Sequence, residues 1–185
     1  GEHGWFDKRW MYEESFKMPF LIKCPGKIKP GTVSNDLIMN IDFAPTLLDF
    51  AQLKSPEEMQ GKSFKNSFSD TINTKRESVY YHYYEYPIWH KVQPHYGIRT
   101  NRYKLIHFYY SMDEWELYDL KNDPQEMNNI YKSAPDTLIK KLKTQLNNQQ
   151  IEFKDLSSLK QMKLMTDTVI SRVYNEPKKI KLKKD

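Results

Sequence analysis

The rhythm of apolar positions changes several times along this chain. Residues Met18 to Cys24 (MPFLIKC) form a short apolar run closed by Pro25-Gly26, the pattern of a buried strand. A loop turning at Pro30-Gly31 follows, then a second short apolar segment from Leu37 to Ile41. In IDFAPTLLDFAQL (Ile41 to Leu53), Leu47, Leu48 and Ala51 fall at helical spacing. Asp42 is placed to cap that helix, and Pro45 sits in its first turn, where a missing N–H costs nothing. Ser55 to Arg76 is polar and aperiodic, a surface excursion. Glu77 to Tyr86 (ESVYYHYYEY) has the β-branched and aromatic density of a strand and stops at Pro87. Tyr96 to Thr100, Tyr103 to Tyr109 and Trp115 to Leu120 repeat that signal, and four strands with short connections predict an antiparallel sheet. Ser133-Ala-Pro-Asp136 then opens a helix whose buried stripe is Leu138, Leu142 and Leu146. A helix on one face of an antiparallel sheet is the α+β arrangement. Leu159 to Val173 reads as a further helix, and no internal repeat is visible.

Composition sharpens this picture in two places. Of 185 residues, 38% are hydrophobic and 14% aromatic, with 13 tyrosines, so the chain can bury a core even with few aliphatics. The formal charge of +5 is concentrated in the last stretch, EPKKIKLKKD, which holds five lysines. Nucleic-acid binding calls for basic residues spread over a folded face, so that partner is not expected. No apolar run is long enough to span a membrane. The lone cysteine, Cys24, excludes an internal disulfide or a multi-cysteine zinc site and reads as a small residue at a strand end.

Candidate chemistry lies in two places. The opening stretch, GEHGWFDKRWMYEESFKMPFL, brackets His3 between Gly1 and Gly4, which free the backbone to approach a ligand. Trp5, Phe6, Trp10 and Tyr12 supply apolar area to hold such a loop. Lys8 reads either as a ligand-binding cation or as a surface lysine paired with Asp7 or Glu13. The second cluster is Tyr86, Trp89, His90 and His95, around the connection between the first two strands. Rings and imidazoles suit a sugar, whose C–H face stacks and whose hydroxyls need donors and acceptors. His82 and His107, inside strand patterns, read as structural or surface residues, and the histidine spacing offers no metal site. Arg99 and Arg102 are expected to pair with nearby carboxylates.

The opening stretch resembles the segment of type I sulfatases just after their second pair of metal ligands. NIDFAPTLLDFA (40–51), YYHYYEYP (80–87), PHYGIRTNRYKLIHFY (94–109) and WELYDLKNDPQEMNN (115–129) recur in the same order in bacterial carbohydrate sulfatases, and the likeness runs to Phe153. It is closest to glycosaminoglycan-type and N-acetylglucosamine-6-sulfatase-like members. The resemblance implies that residues 1–76 are the remnant of a large alkaline-phosphatase-like α/β domain, 77–155 a C-terminal sheet-plus-helix subdomain, and 156–185 a basic extension. It implies that Lys8 contacts the sulfate, that His3 faces the metal–sulfate site or the substrate, and that His95 meets a sugar hydroxyl, with His90 and Trp89 beside it. Such enzymes use a formylglycine made from a Cys/Ser-x-Pro-x-Arg motif beside a calcium ion. Here the cysteine stands in Cys24-Pro25-Gly26-Lys27-Ile28, which lacks that pattern, and the metal ligands would precede Gly1.

Gly1 is therefore expected to be a cut rather than a beginning, and the chain inactive alone. Its partners would be a sulfated carbohydrate and the missing N-terminal sulfatase domain. Without that domain, 18–24 and 43–53 should expose apolar surface or pair with a second copy as a homo-oligomer. The family implies a periplasmic or extracellular setting. The alternatives are a phosphonate or phosphomonoester hydrolase of the same superfamily, and a non-catalytic carbohydrate-binding module.

Overall fold

A computed structural model describes residues 2–4, 8–68, 76–86 and 90–175. Its organising element is a four-stranded antiparallel sheet in the order β1-β2-β3-β4, formed by β1 (Ser78–His82), β2 (His95–Thr100), β3 (Tyr103–Tyr109) and β4 (Asp113–Asp119). Neighbours in sequence are neighbours in space. Tyr80 faces Ile98, Ile98 faces Leu105 and Leu105 faces Leu117. The expected α+β class and sheet are thus present.

Alternation along the strands gives the sheet two apolar faces, and both are covered. On one, Tyr80, Tyr96, Ile98, Leu105, Tyr109 and Leu117 pack with Leu142 and Leu146 of a long helix. Met162 of a second helix joins them there. In chain order the helices are α1 (Glu13–Phe16), α2 (Phe43–Phe50), α3 (Asp136–Glu152) and α4 (Leu159–Ile170). On the other face, Ile106, Phe108 and Tyr118 receive Trp10, Met11 and Tyr12 from the opening segment. Met11 lies close because Gly97 of β2 has no side chain. A Cβ there would run into the Leu105 carbonyl and the Met11 sulfur. Each buried leucine contributes about 2 kcal/mol.

Two starts differ from the sequence reading. Asp42 sits at the N-cap position of α2, but its carboxylate makes no cap bond. It accepts from the backbone N–H groups of Met39 (2.7 Å) and Lys62 (2.8 Å) and pairs with both terminal nitrogens of Arg76, at 2.7 Å for one. The acid ties three chain segments together, and within α2 Pro45 and Thr46 are buried while Leu47 is exposed. Ser133 does not cap α3, which begins at Asp136. Its hydroxyl donates to Ile130, closing the preceding turn.

The run 18–24 is a larger departure. It is extended but belongs to no ladder, and Met18 and Leu21 are 73% and 95% exposed. A strand is buried by a neighbour, and among the described residues none pairs with it. Phe20 stacks on Phe43 at 5.0 Å, tethering the run to α2.

Candidate functional site

Residues 9–13 of the opening segment are fixed to the sheet. His3 has a left-handed backbone (φ 53°), and its ring stacks on Tyr12 at 4.2 Å with Nε2 3.6 Å from a Glu14 carboxylate oxygen. Tyr12 in turn donates to Glu116 on β4 at 3.0 Å. The imidazole therefore lies against the body of the protein, among acids. Lys8 is exposed. One residue on, Arg9 pairs with Glu85 at 2.8 Å and its carbonyl accepts from the Tyr81 hydroxyl at 2.9 Å. Trp10 is buried and stacks on His95 at 5.8 Å. Lys8 is thus an exposed cation two residues from a buried anchor.

Trp10 also joins this segment to the second predicted cluster. His95 opens β2 and is fully buried among the rings of Trp10, Tyr83 and Phe108. Its Nδ1 lies 2.7 Å from the Gln93 carbonyl, which assigns the proton to that nitrogen. Nε2 is buried without a hydrogen-bond partner. Burial lowers the imidazole pKa to about 4, so the ring is neutral at pH 7. Within this chain the His95 side chain is fully buried. His90 is half-buried in the β1–β2 connection, and Trp89 lies outside the described residues.

His82, His107, Arg99 and Arg102 all have structural partners. The Asp155 carboxylate accepts from Tyr80 (2.5 Å), Tyr84 (2.7 Å) and His82 Nδ1 (2.6 Å), while Nε2 of that histidine meets the Tyr109 hydroxyl at 2.9 Å. His107 lies between the Tyr96 hydroxyl and Asp113, each at 2.8 Å, and its ring stacks on Trp115. Burial lowers both imidazoles, against the opposing pull of their carboxylates. Arg99 pairs with Glu13 and Arg102 with Asp119.

Sequence reasoning passed over the most heavily buried charges. Lys104 is 0% exposed, its Nζ 2.9 Å from Glu13 and 2.6 Å from Glu126. The other Glu126 oxygen accepts the Glu13 backbone N–H at 2.6 Å. The one available signal was alternation, which puts Lys104 on the same side of β3 as Ile106 and Phe108. His3, Glu14 and Glu126 bring donor atoms within 4.8 Å of one another. Two carboxylates and an imidazole do not meet calcium's preference for six to eight oxygens, and the Lys104 ammonium opposes any cation there. These residues do not form a calcium site, and the lone cysteine lies in no formylglycine motif.

Known proteins account for this arrangement. The family model described as N-sulphoglucosamine sulphohydrolase, C-terminal, matches residues 1–152. An N-acetylglucosamine-6-O-sulfatase of Bacteroides thetaiotaomicron is 56% identical over 137 residues, covering 72% of this chain and 25% of that protein. An arylsulfatase of Clostridium perfringens is 31% identical over 167 residues, covering 86% of this chain and 34% of its own length. Among solved structures, BT4656 in complex with its substrate D-glucosamine-2-N,6-O-disulfate superposes with a TM-score of 0.80 at 50% identity, over 85% of this chain and 33% of that one. The chain thus spans between a quarter and about a third of the length of these relatives. It belongs to the C-terminal family of the N-sulphoglucosamine sulphohydrolases, a family of sulfatases.

Proposed function

We propose that this chain is the C-terminal part of a sulfatase that hydrolyses a sulfate ester on an amino sugar of the glucosamine type. The observation that carries the reading is the 56% identity to an N-acetylglucosamine-6-O-sulfatase across the segment that includes the sheet. The 0.80 superposition on a protein holding a disulfated glucosamine supports it. Lys8 supplies an exposed ammonium for the sulfate oxygens, where charge develops as the S–O bond breaks. The sheet supplies the fixed surface to which Arg9 and Trp10, next to Lys8 in sequence, are anchored. His3 stays a candidate for the same site, and His95, His90 and Trp89 for the sugar. Formylglycine and calcium, which the family implies, would come from the rest of the polypeptide. The exposed apolar residues of 18–24 and α2 form the surface that this remainder covers.

The aromatic richness does not favour a stand-alone carbohydrate-binding module. Trp10, Tyr12, Tyr80, Tyr83, Tyr96, Tyr109 and Tyr118 are buried in the two cores rather than displayed as a stacking platform. We place the intact protein in the periplasm or outside the cell, on the family resemblance, and cell fractionation tests it.

The test of function uses the intact protein that carries this segment, assayed for sulfate release from N-acetylglucosamine-6-sulfate. Lys8→Ala should lower kcat/KM by roughly 10²–10³, the usual loss for one donor to a developing oxyanion. This chain alone should release no sulfate. Hydrolysis of phosphonate monoesters with no sulfate release would overturn the reading.

A further inference from the structure

The segment bearing Lys8 is held by a set of four charges, two of them fully buried. Lys104 of β3 and Arg99 of β2 reach up from the sheet, and both contact the Glu13 carboxylate, Arg99 at 3.1 Å and Lys104 at 2.9 Å. Glu126 comes from the turn after β4 and touches Lys104 with one oxygen and the Glu13 backbone N–H with the other. The Lys104 and Glu126 side chains are both at 0% exposure, with Glu13 and Arg99 at 14% and 16%. Glu126 is also held in a left-handed backbone (φ 55°), a conformation that costs a non-glycine residue about 1 kcal/mol or more and persists only where its surroundings impose it. Lys104 Nζ meets Glu13 and Glu126 Oε1 in close ion pairs without hydrogen-bond geometry, and the directional contacts that fix the register are Glu126 with the Glu13 backbone N–H and Arg99 with the Glu13 carboxylate. Glu13 stands three residues after Trp10 and five after Lys8, so slippage at Glu13 would displace the proposed sulfate contact.

We propose that Lys104 and Glu126 are positioning residues for Lys8, clamping Glu13 so that the segment meets the sheet in one register. This inference rests on the sulfatase reading for its consequence in catalysis, but the clamp itself is testable without turnover. In this chain, hydrogen exchange of the backbone amides of Tyr12 to Phe16 should rise at least tenfold in Lys104→Met, relative to amides of β2 and β3. An equal rise across all three regions would make Lys104 an ordinary core residue and overturn the clamp. In the intact protein, Lys104→Met and Glu126→Gln should each lower kcat/KM at least tenfold and weaken inhibition by inorganic sulfate by a similar factor. These assays are run well below each variant's Tm. The double variant Lys104→Met/Glu126→Gln leaves Glu13 balanced by Arg99 and should be less impaired than Lys104→Met alone. Leu105→Ala, on the opposite face of the sheet, is the control. It should lower Tm without changing the sulfate inhibition constant. Variants that lose Tm yet keep that constant within twofold would sink the positioning role. A wild-type intact protein with no sulfate-ester hydrolysis would instead sink the sulfatase reading, with the exchange result still deciding the clamp.

Discussion

Residues 18–68 and residues 78–152 treat their apolar side chains in opposite ways. In the second region Ile98, Leu105, Ile106, Leu117, Leu142 and Leu146 are buried at 0–3% exposure, under helices on one face and the opening segment on the other. In the first, Phe64 is the one large hydrophobic residue that is buried. Met18, Phe20, Leu21, Ile22, Val33, Ile41, Phe43, Leu47 and Leu53 stand exposed. Polar anchoring substitutes for a core there: Asp42 gathers Met39, Lys62 and Arg76, and Asp49 holds Lys65 and Ser63. One region closes on itself. The other has the composition of an interior and the exposure of a surface, the character of a face suited to being covered.

Leu105→Ala should break the first half of this contrast most severely. It removes a fully buried residue between two strands, and urea unfolding should show a loss of roughly 2–5 kcal/mol. Acid should act next. His95 titrates near 4 when folded and near 6.5 when unfolded, so its neutral form stabilises the fold above pH 6.5. That stability is lost as pH falls towards 4, up to about 3 kcal/mol for a shift of this size. His82 and His107, also lowered by burial, act in the same direction. Thermal melts between pH 7.5 and 4.5 measure this, and His95→Leu should flatten the profile. Gly97→Ala, which sets a methyl against the Leu105 carbonyl and the Met11 sulfur, should cost roughly 1–3 kcal/mol and loosen residues 10–12. Trp10 fluorescence in a variant lacking the other tryptophans reads that change. Smallest of all, Leu21→Ser should alter stability by no more than about 0.5 kcal/mol, because the residue is 95% exposed. Less self-association in analytical ultracentrifugation should be its visible effect.

The sheet was legible because its strands carry their own evidence. Aromatic and β-branched density, with turns at short intervals, located β3 to the residue and β2 and β4 to within two at either end. The first strand is shorter than its pattern. Beyond His82 the chain leaves the ladder, although the Tyr83 N–H still donates to the His95 carbonyl at 2.9 Å. The run 18–24 was read as buried because an apolar pattern reports what a segment requires, not whether its partner is at hand. At the candidate site, Lys8 and His3 were singled out by the glycine-bracketed, cationic opening stretch, and motif resemblance then gave them their expected roles. Lys104 and Glu126 were missed because a buried charge network is assembled from segments far apart in sequence, and no local pattern announces it. Covering both faces of the sheet also defeats the usual inference that one side of an alternating strand is wet.

The family match stops at residue 152, three residues before Asp155. Asp155 is nevertheless the shared acceptor for Tyr80, Tyr84 and His82 on and just after the outermost strand. A fragment trimmed at the family boundary would strand two hydroxyls and an imidazole along β1 and remove Met162 from the core as well. The natural cut-point for dissecting this molecule therefore lies beyond α4: Asp155, at the edge of the sheet subdomain, closes the sheet, and Met162 of the expected extension fills its core.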